Sequence, residues 1–375
     1  MYLVKYRIVS MLKGTGMALH DSKLCGTCEV GSMRRIGADS RVRACFVLLT
    51  SIVVASRTNA DPTFVTVGAA NNPAYNGPDP IGVVTGRGSV PYEYRIAQTE
   101  LTTGEWIEFL NTFSDVAAPH PFWPAVPNGY MGAVPDASWS GAGLRWQLVN
   151  EPNAARTSVY GISWRMAALY CNWLTNGKQS STASLITGAY DTTTWGETID
   201  EFGYTLYTDA EHRMPTATYF IPTFDEWLKA AHYDPDRYGP DQGGWWRFSN
   251  SSDSPPVPGP PGVGETSAGW EGPNSIELDL PVGSYASTQS PWGLLDTSGG
   301  AAEWCEDYYI PNFRYYDGSS AMYSDPNQII EDVAWFGAAW PFDGAGLRLG
   351  SVVPSPGSLG ICAIAVVALF RRKRT

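Results

Sequence analysis

Apolar residues recur along this chain in short blocks, and the spacing within each block suggests its element. Residues 64–67 (FVTV) are apolar and β-branched, which suits a strand. In 92–96 (YEYRI), alternation places Tyr92, Tyr94 and Ile96 on one face of a second strand, with the turn-rich stretch 71–80 between the two. Thr102 and Glu105 form a capping-box pattern. Trp106, Phe109, Leu110 and Phe113 then follow at i, i+3, i+4 and i+7, which predicts a helix with one stripe on a core. A second helix is expected from Ser163 to the Asn176–Gly177 stop signal, with Met166, Tyr170, Trp173 and Leu174 as its stripe. Thr223 and Glu226 repeat the capping box, and Trp227, Ala230 and Ala231 carry a third helix.

The stretches between these blocks are long and rich in turn residues. Residues 115–153 read as a structured surface loop, 178–215 as a polar insertion with a hairpin, and 236–273 as a surface loop rather than a linker, because the aromatic pattern resumes at once. No internal repeat is visible. The pattern predicts one α+β domain over 61–352 with low regular secondary structure.

Composition changes this picture mainly at the ends. The chain of 375 residues holds 25 Lys/Arg and 37 Asp/Glu, but residues 61–353 contain 12 of the basic and 34 of the acidic ones, a balance of about −22. A body this acidic repels nucleic acid and anionic lipid. The basic residues flank two apolar runs. In the first 60 residues, Arg34, Arg35, Arg41 and Arg43 precede the apolar run 44–55, and Thr58, Asn59 and Ala60 supply small residues for cleavage. This is the pattern of a secretory signal peptide with an extended leading region, for which Met33 is an alternative start. Cys25 and Cys28 form an isolated CxxC in that region. Residues 353–375 run from a Pro/Ser/Gly spacer through the apolar stretch 359–370 to Arg371, Arg372, Lys373 and Arg374. They resemble a PEP-CTERM sorting segment, with Ser355 where that class carries Glu; a plain membrane anchor is the simpler reading. Both readings imply export, to the cell surface or outer envelope.

The stretch 293–305 (GLLDTSGGAAEWC) places Asp296 and Glu303 at the ends of a glycine-rich turn. Mixed carboxylate and carbonyl oxygens suit a hard cation such as Ca²⁺. On spacing alone, an Asx-type turn with a solvated Glu is the simpler reading.

The order of segments resembles the sulfatase-modifying factor, or formylglycine-generating enzyme, superfamily. Residues 96–111 (IAQTELTTGEWIEFLN) are similar to its E-V-T…F-L-N opening. The stretch 160–174 is similar to V-S-W…A-Y-C-N-W-L, and 221–231 to L-P-T-E-A-E-W…A-A. Residues 281–284 resemble P-V-G-S, 293–304 resemble G-L-Y-D-M-x-G-N-x-W-E-W, and 346–348 resemble G-F-R. The resemblance implies an irregular α+β fold of C-type-lectin-like architecture with calcium in its loops. Carried over, it makes Asp296, Gly299, Ala301 and Glu303 the calcium ligands; a second calcium site would fall near Asn250, Ser251 and Asn274, where the match is poor.

The family's chemistry oxidises a substrate cysteine with copper and O₂, the copper being held by two cysteines just before G-F-R. Residues 306–350 contain no cysteine, and the stretch that should carry the pair, 333–345, reads VAWFGAAWPFDGA. Ala302 stands for the first Trp of W-E-W and Gly300 for the Asn before it. Copper is therefore not expected, and no catalytic residue is assigned. Cys171 and Cys305 are the only cysteines of the body, and a disulfide between them and two buried thiols are both open. His120, His212 and His232 show no metal spacing. The carboxylate pairs Asp225/Glu226 and Glu306/Asp307 are expected to serve capping and surface charge. These observations favour a non-catalytic, calcium-stabilised surface module that binds a glycan or protein ligand. The alternatives are an active formylglycine-generating oxidase with a rearranged site, and another reaction on the same scaffold.

Overall fold

Three capping boxes start the three α-helices found among the described residues of the computed structural model, which are 62–354 except 124–131, 202, 204, 271–279, 322–328, 340, 342 and 343. The N-terminal segment 1–60 and nearly all of 353–375 lie outside the described residues, as does Asn274. Strands β1 (Phe64–Val67) and β2 (Tyr94–Ala97) come first, followed by α1 (Thr103–Thr112). The Thr102 hydroxyl accepts from the Glu105 N–H, and the Glu105 carboxylate accepts from the Thr102 N–H. The hairpin β3 (Ala133–Pro135) and β4 (Trp146–Leu148) leads to α2 (Trp164–Thr175), capped by Ser163. There the sulfur of Met166 takes the place of the usual Glu, accepting the Ser163 N–H at 3.4 Å.

Next come a second hairpin, β5 (Gly196–Ile199) with β6 (Thr205–Thr208), then β7 (Tyr219–Phe220) and α3 (Phe224–His232). The short pair β8 (Tyr233–Asp234) and β9 (Gly244–Trp245) precedes the second half of the body. That half is built from β10 (Ala302–Ile310), β11 (Phe313–Asp317), β12 (Ala334–Gly337), β13 (Ala345–Gly346) and β14 (Gly350–Ser351). One sheet has the order β1-β2-β14-β7 and the other β12-β11-β10-β13; β10 and β13 run parallel.

Helices α1 and α2 pack through aromatic rings. Trp106 and Tyr170 lie 5.6 Å apart, and Phe109 and Trp173 5.3 Å. Such pairs add about 0.5–1.5 kcal/mol each beyond their burial. Helix α3 faces a second cluster, where Phe224 stacks on Tyr315 at 4.4 Å beside Trp227, Cys305, Ile330 and Val333.

Several expectations change. Tyr92 lies ahead of β2 and is exposed, while Tyr94 and Ile96 are buried. The 115–153 loop contains the β3–β4 hairpin, and the 236–273 loop contains β9. The Asp296 turn does not end at Glu303: from Ala302 onward the chain is the longest described strand, with residues 302–306 all buried, so no alternation reveals it. Cys171 and Cys305 are free rather than bridged. Each sits fully buried in a different apolar cluster, Cys171 on α2 in the cluster that also holds Trp106 and Tyr190, and Cys305 on β10 in the cluster of α3. Glu226 and Glu306 are buried, not surface charges.

Candidate functional site

The Asp296 motif is folded by left-handed backbone. Asp296, Gly299 and Gly300 have φ of 55, 104 and 63. Two of these positions are glycine, where that conformation carries no Cβ penalty. The Gly283 N–H, in the PVGS turn, donates to Asp296 Oδ2 at 2.5 Å, and Gly299 N–H donates to the Ser319 carbonyl at 2.7 Å. A Cβ on Gly300 would stand 2.5 Å from both carboxylate oxygens of Glu100. The absence of a side chain there lets Ala301 N–H reach Glu100 Oε1 at 2.6 Å. Glu100, just after β2, is thus part of the site; the sequence shows it only as the acid of the E-V-T-like opening and does not tie it to the Asp296 motif.

Glu303 faces the other way, into the core. Its oxygens accept Arg348 Nε at 2.9 Å each, Arg348 Nη2 at 2.6 Å and Trp227 Nε1 at 2.6 Å. The remaining N–H groups of Arg348 reach the carbonyls of Ala97, Gln98 and Leu295. Arg348 and Glu303 are both fully buried. The pair clamps β2, β10 and the Asp296 turn together, a role that the sequence pattern of G-F-R does not reveal.

Three of the four expected calcium ligands keep free oxygens. Asp296 Oδ1 and the carbonyls of Gly299 and Ala301 accept no hydrogen bond from the described residues. The fourth, Glu303, is already engaged by Arg348 and Trp227. Burial, then the neighbouring charges of Asp296 and Glu303, push the Glu100 carboxyl well above its ordinary range. Burial also raises Asp296. Three carboxylates therefore share one guanidinium, an imbalance that a divalent cation relieves. Among the described residues no three His, Cys, Asp or Glu side chains form a metal cluster, so an ion here relies on main-chain oxygens. The donor set fits a hard cation through Asp296, Gly299 and Ala301, with Glu100 adjoining. Of the poorly matching second site, Asn250 is described and its Oδ1 is buried without a hydrogen-bond partner.

The segment that should carry copper packs on the start of α2. Arg165 N–H donates to the Ala338 carbonyl at 3.1 Å and Ile162 N–H to that of Ala345 at 3.2 Å. Neither body thiol belongs to this segment, and burial pushes both thiols well above their ordinary range. His120 and His232 are buried and pushed down to about 4 by burial, whereas His212 is exposed. A separate buried network joins Tyr190 Oη to Glu306 Oε2 at 3.0 Å, and Arg213 to both Glu306 and Glu226. Burial there raises Glu306 to about 7, against the opposing pull of Arg213.

Comparison with known proteins agrees with the order of segments. The family description "sulfatase-modifying factor enzyme 1-like domain" matches residues 82–339. No curated protein matches the chain. Among solved structures, variable protein 1 of Treponema denticola is 16% identical with a TM-score of 0.45, over 77% of this chain and 95% of that one. CarF is 18% identical with a TM-score of 0.44, over 78% and 99%. PvdO from Pseudomonas aeruginosa is 14% identical with a TM-score of 0.39, over 78% and 92%.

Proposed function

Because the chain belongs to the sulfatase-modifying factor enzyme 1-like family, we propose that it is an exported, surface-held member that keeps the scaffold and has given up the copper–cysteine oxidation. The observation that carries this reading is the state of its cysteines. Between residues 61 and 353 there are only Cys171 and Cys305, buried in separate apolar clusters. A two-thiolate copper site needs two soft ligands side by side and reachable by a substrate, and these thiols are neither. Calcium is the proposed resident ion, held by Asp296, Gly299 and Ala301 beside Glu100. When bound it neutralises the buried carboxylates and fixes the turn against the 281–284 loop. The acidic body then serves as a binding module for a glycan or protein ligand at the cell surface or outer envelope. Membrane attachment is through the 353–375 segment, and no nucleic acid is involved.

Elemental analysis of the purified protein, paired with a cysteine-peptide turnover assay in the presence of copper and O₂, tests the reading. Calcium without copper, and no formylglycine product, is expected. A formylglycine product would overturn it in favour of an oxidase with a rearranged site.

A further inference from the structure

A surface cleft of about 570 Å³ opens between the 73–78 loop and the β8–β9 hairpin. It shares no lining residue with the Asp296 motif. Its size is within the range of about 300–1,000 Å³ typical of small-ligand sites. The walls are aromatic. Tyr75 and Trp245 meet edge to face at 5.9 Å, and Tyr238 is 65% exposed. Gly244 lets Tyr238 lie against the hairpin backbone, because a Cβ there would stand 2.5 Å from the ring.

The charges of the cleft are already paired. Arg237 holds Asp253 at 2.5 Å, and Arg247 holds Glu331 Oε1 at 3.3 Å. The lining is thus neutral inside a strongly acidic body. Two of these charged groups are more than half exposed, Asp253 at 57% and Arg247 at 54%, and they give a ligand in the cleft an acceptor and a donor within reach. A cation would find both carboxylates taken, and an anion both guanidinium groups. An aliphatic ligand would cover Asp253 and Arg247 without offering them a hydrogen bond. A hydroxyl both donates and accepts, and a sugar ring presents hydroxyls together with a C–H face that suits the negative face of an aromatic ring.

We propose that this cleft binds a neutral saccharide, with a C–H face of the sugar on Tyr238 and its hydroxyls meeting Asp253 and Arg247. The proposal rests on the surface-module reading above and gives that module a ligand class and a site.

Calorimetric titration of the full chain with short neutral oligosaccharides (gluco-, manno-, galacto- and xylo-series) tests it, beside polygalacturonate and a sulfated oligosaccharide as charged probes. Saturable binding of at least one neutral series is expected, weakened about tenfold or more by Tyr238→Ala, an exposed position whose melting temperature should not change. Arg247→Gln should weaken it as well. Failure of every neutral series at millimolar concentration would overturn the proposal. So would preference for the charged probes, or unchanged affinity in Tyr238→Ala. The cysteine-peptide assay keeps the two ideas apart. A silent peptide assay without sugar binding removes the cleft proposal alone, and a formylglycine product removes the non-catalytic reading whatever the sugars do.

Discussion

Arg348 lies across the Glu303 carboxylate, with Nε 2.9 Å from both oxygens and Nη2 2.6 Å from Oε1. Neither side chain has a route to water. Removing one partner leaves a buried charge uncompensated, which typically costs about 3–5 kcal/mol. Glu303→Ala and Arg348→Met should each lower stability by about that much in urea unfolding, and the double variant by clearly less than the sum of the two. Additive losses would show that the pair is not coupled.

Asp296 should behave differently from Glu303. Its Oδ1 takes no hydrogen bond from the described residues, so Asp296→Ala removes a proposed ion ligand without orphaning a guanidinium. The wild-type protein should lose thermal stability on chelation. Asp296→Ala should contain less calcium and show a melting temperature indifferent to chelator. An equal response of both proteins to chelator would remove the site assignment.

Glu306 gives a pH dependence with a definite sign. Its folded pKa is raised to about 7 from 4.5, chiefly by burial, against the lowering pull of Arg213 and Tyr190 and with Glu226 and Asp307 raising it further. The protonated form is favoured in the fold, so its contribution is complete below the unfolded value and is lost as pH rises through about 7. Ionising it in place costs roughly 3 kcal/mol. Glu306→Gln keeps an acceptor for Tyr190 Oη and should flatten the stability profile between about pH 5 and pH 8. An unchanged slope in urea titrations across that window would contradict this.

Cys171 and Cys305 should resist alkylation in the folded protein and react only once it is unfolded. Both are fully buried. Burial is the first cause of the raised thiol pKa at each, with Glu306 adding at Cys171 and Asp317 at Cys305. Peptide mapping after iodoacetamide treatment in buffer and in denaturant reads this directly. A disulfide-linked peptide pair would contradict the separate clusters.

The sequence made the helices legible because their starts are local events. Thr102 with Glu105 and Thr223 with Glu226 state the caps within four residues. Even Ser163, whose partner is Met166, was found from the apolar stripe that follows it. Strand β10 was hidden because Glu303 and Glu306 are buried acids, tolerated only through Arg348, Trp227, Tyr190 and Arg213, all distant in sequence. The same cause hid Glu100, whose place in the site depends on Gly300 bringing Ala301 to it from far along the chain. Asp296, Gly299 and Ala301 were visible as a motif, and their free oxygens keep that reading open. For Cys171 and Cys305 the count of cysteines left a bridge and two buried thiols both open, because a count carries no distance; the structure has the two buried thiols.

Strand β14 lies between β2 and β7 in the first sheet, pairing Gly350 with Ile96 on one side and Phe220 on the other. The middle of that sheet is therefore supplied by one of the last segments of the body to leave the ribosome. Contacts spanning so much chain make for slow closure. Until residues 350–351 arrive, β2 and β7 present open edges that invite wrong pairing. For the export proposed above, this arrangement keeps the sheet from closing until residues 350–351 have followed the rest of the body. Any truncation ahead of β14 should yield a protein that aggregates instead of one that is merely shorter.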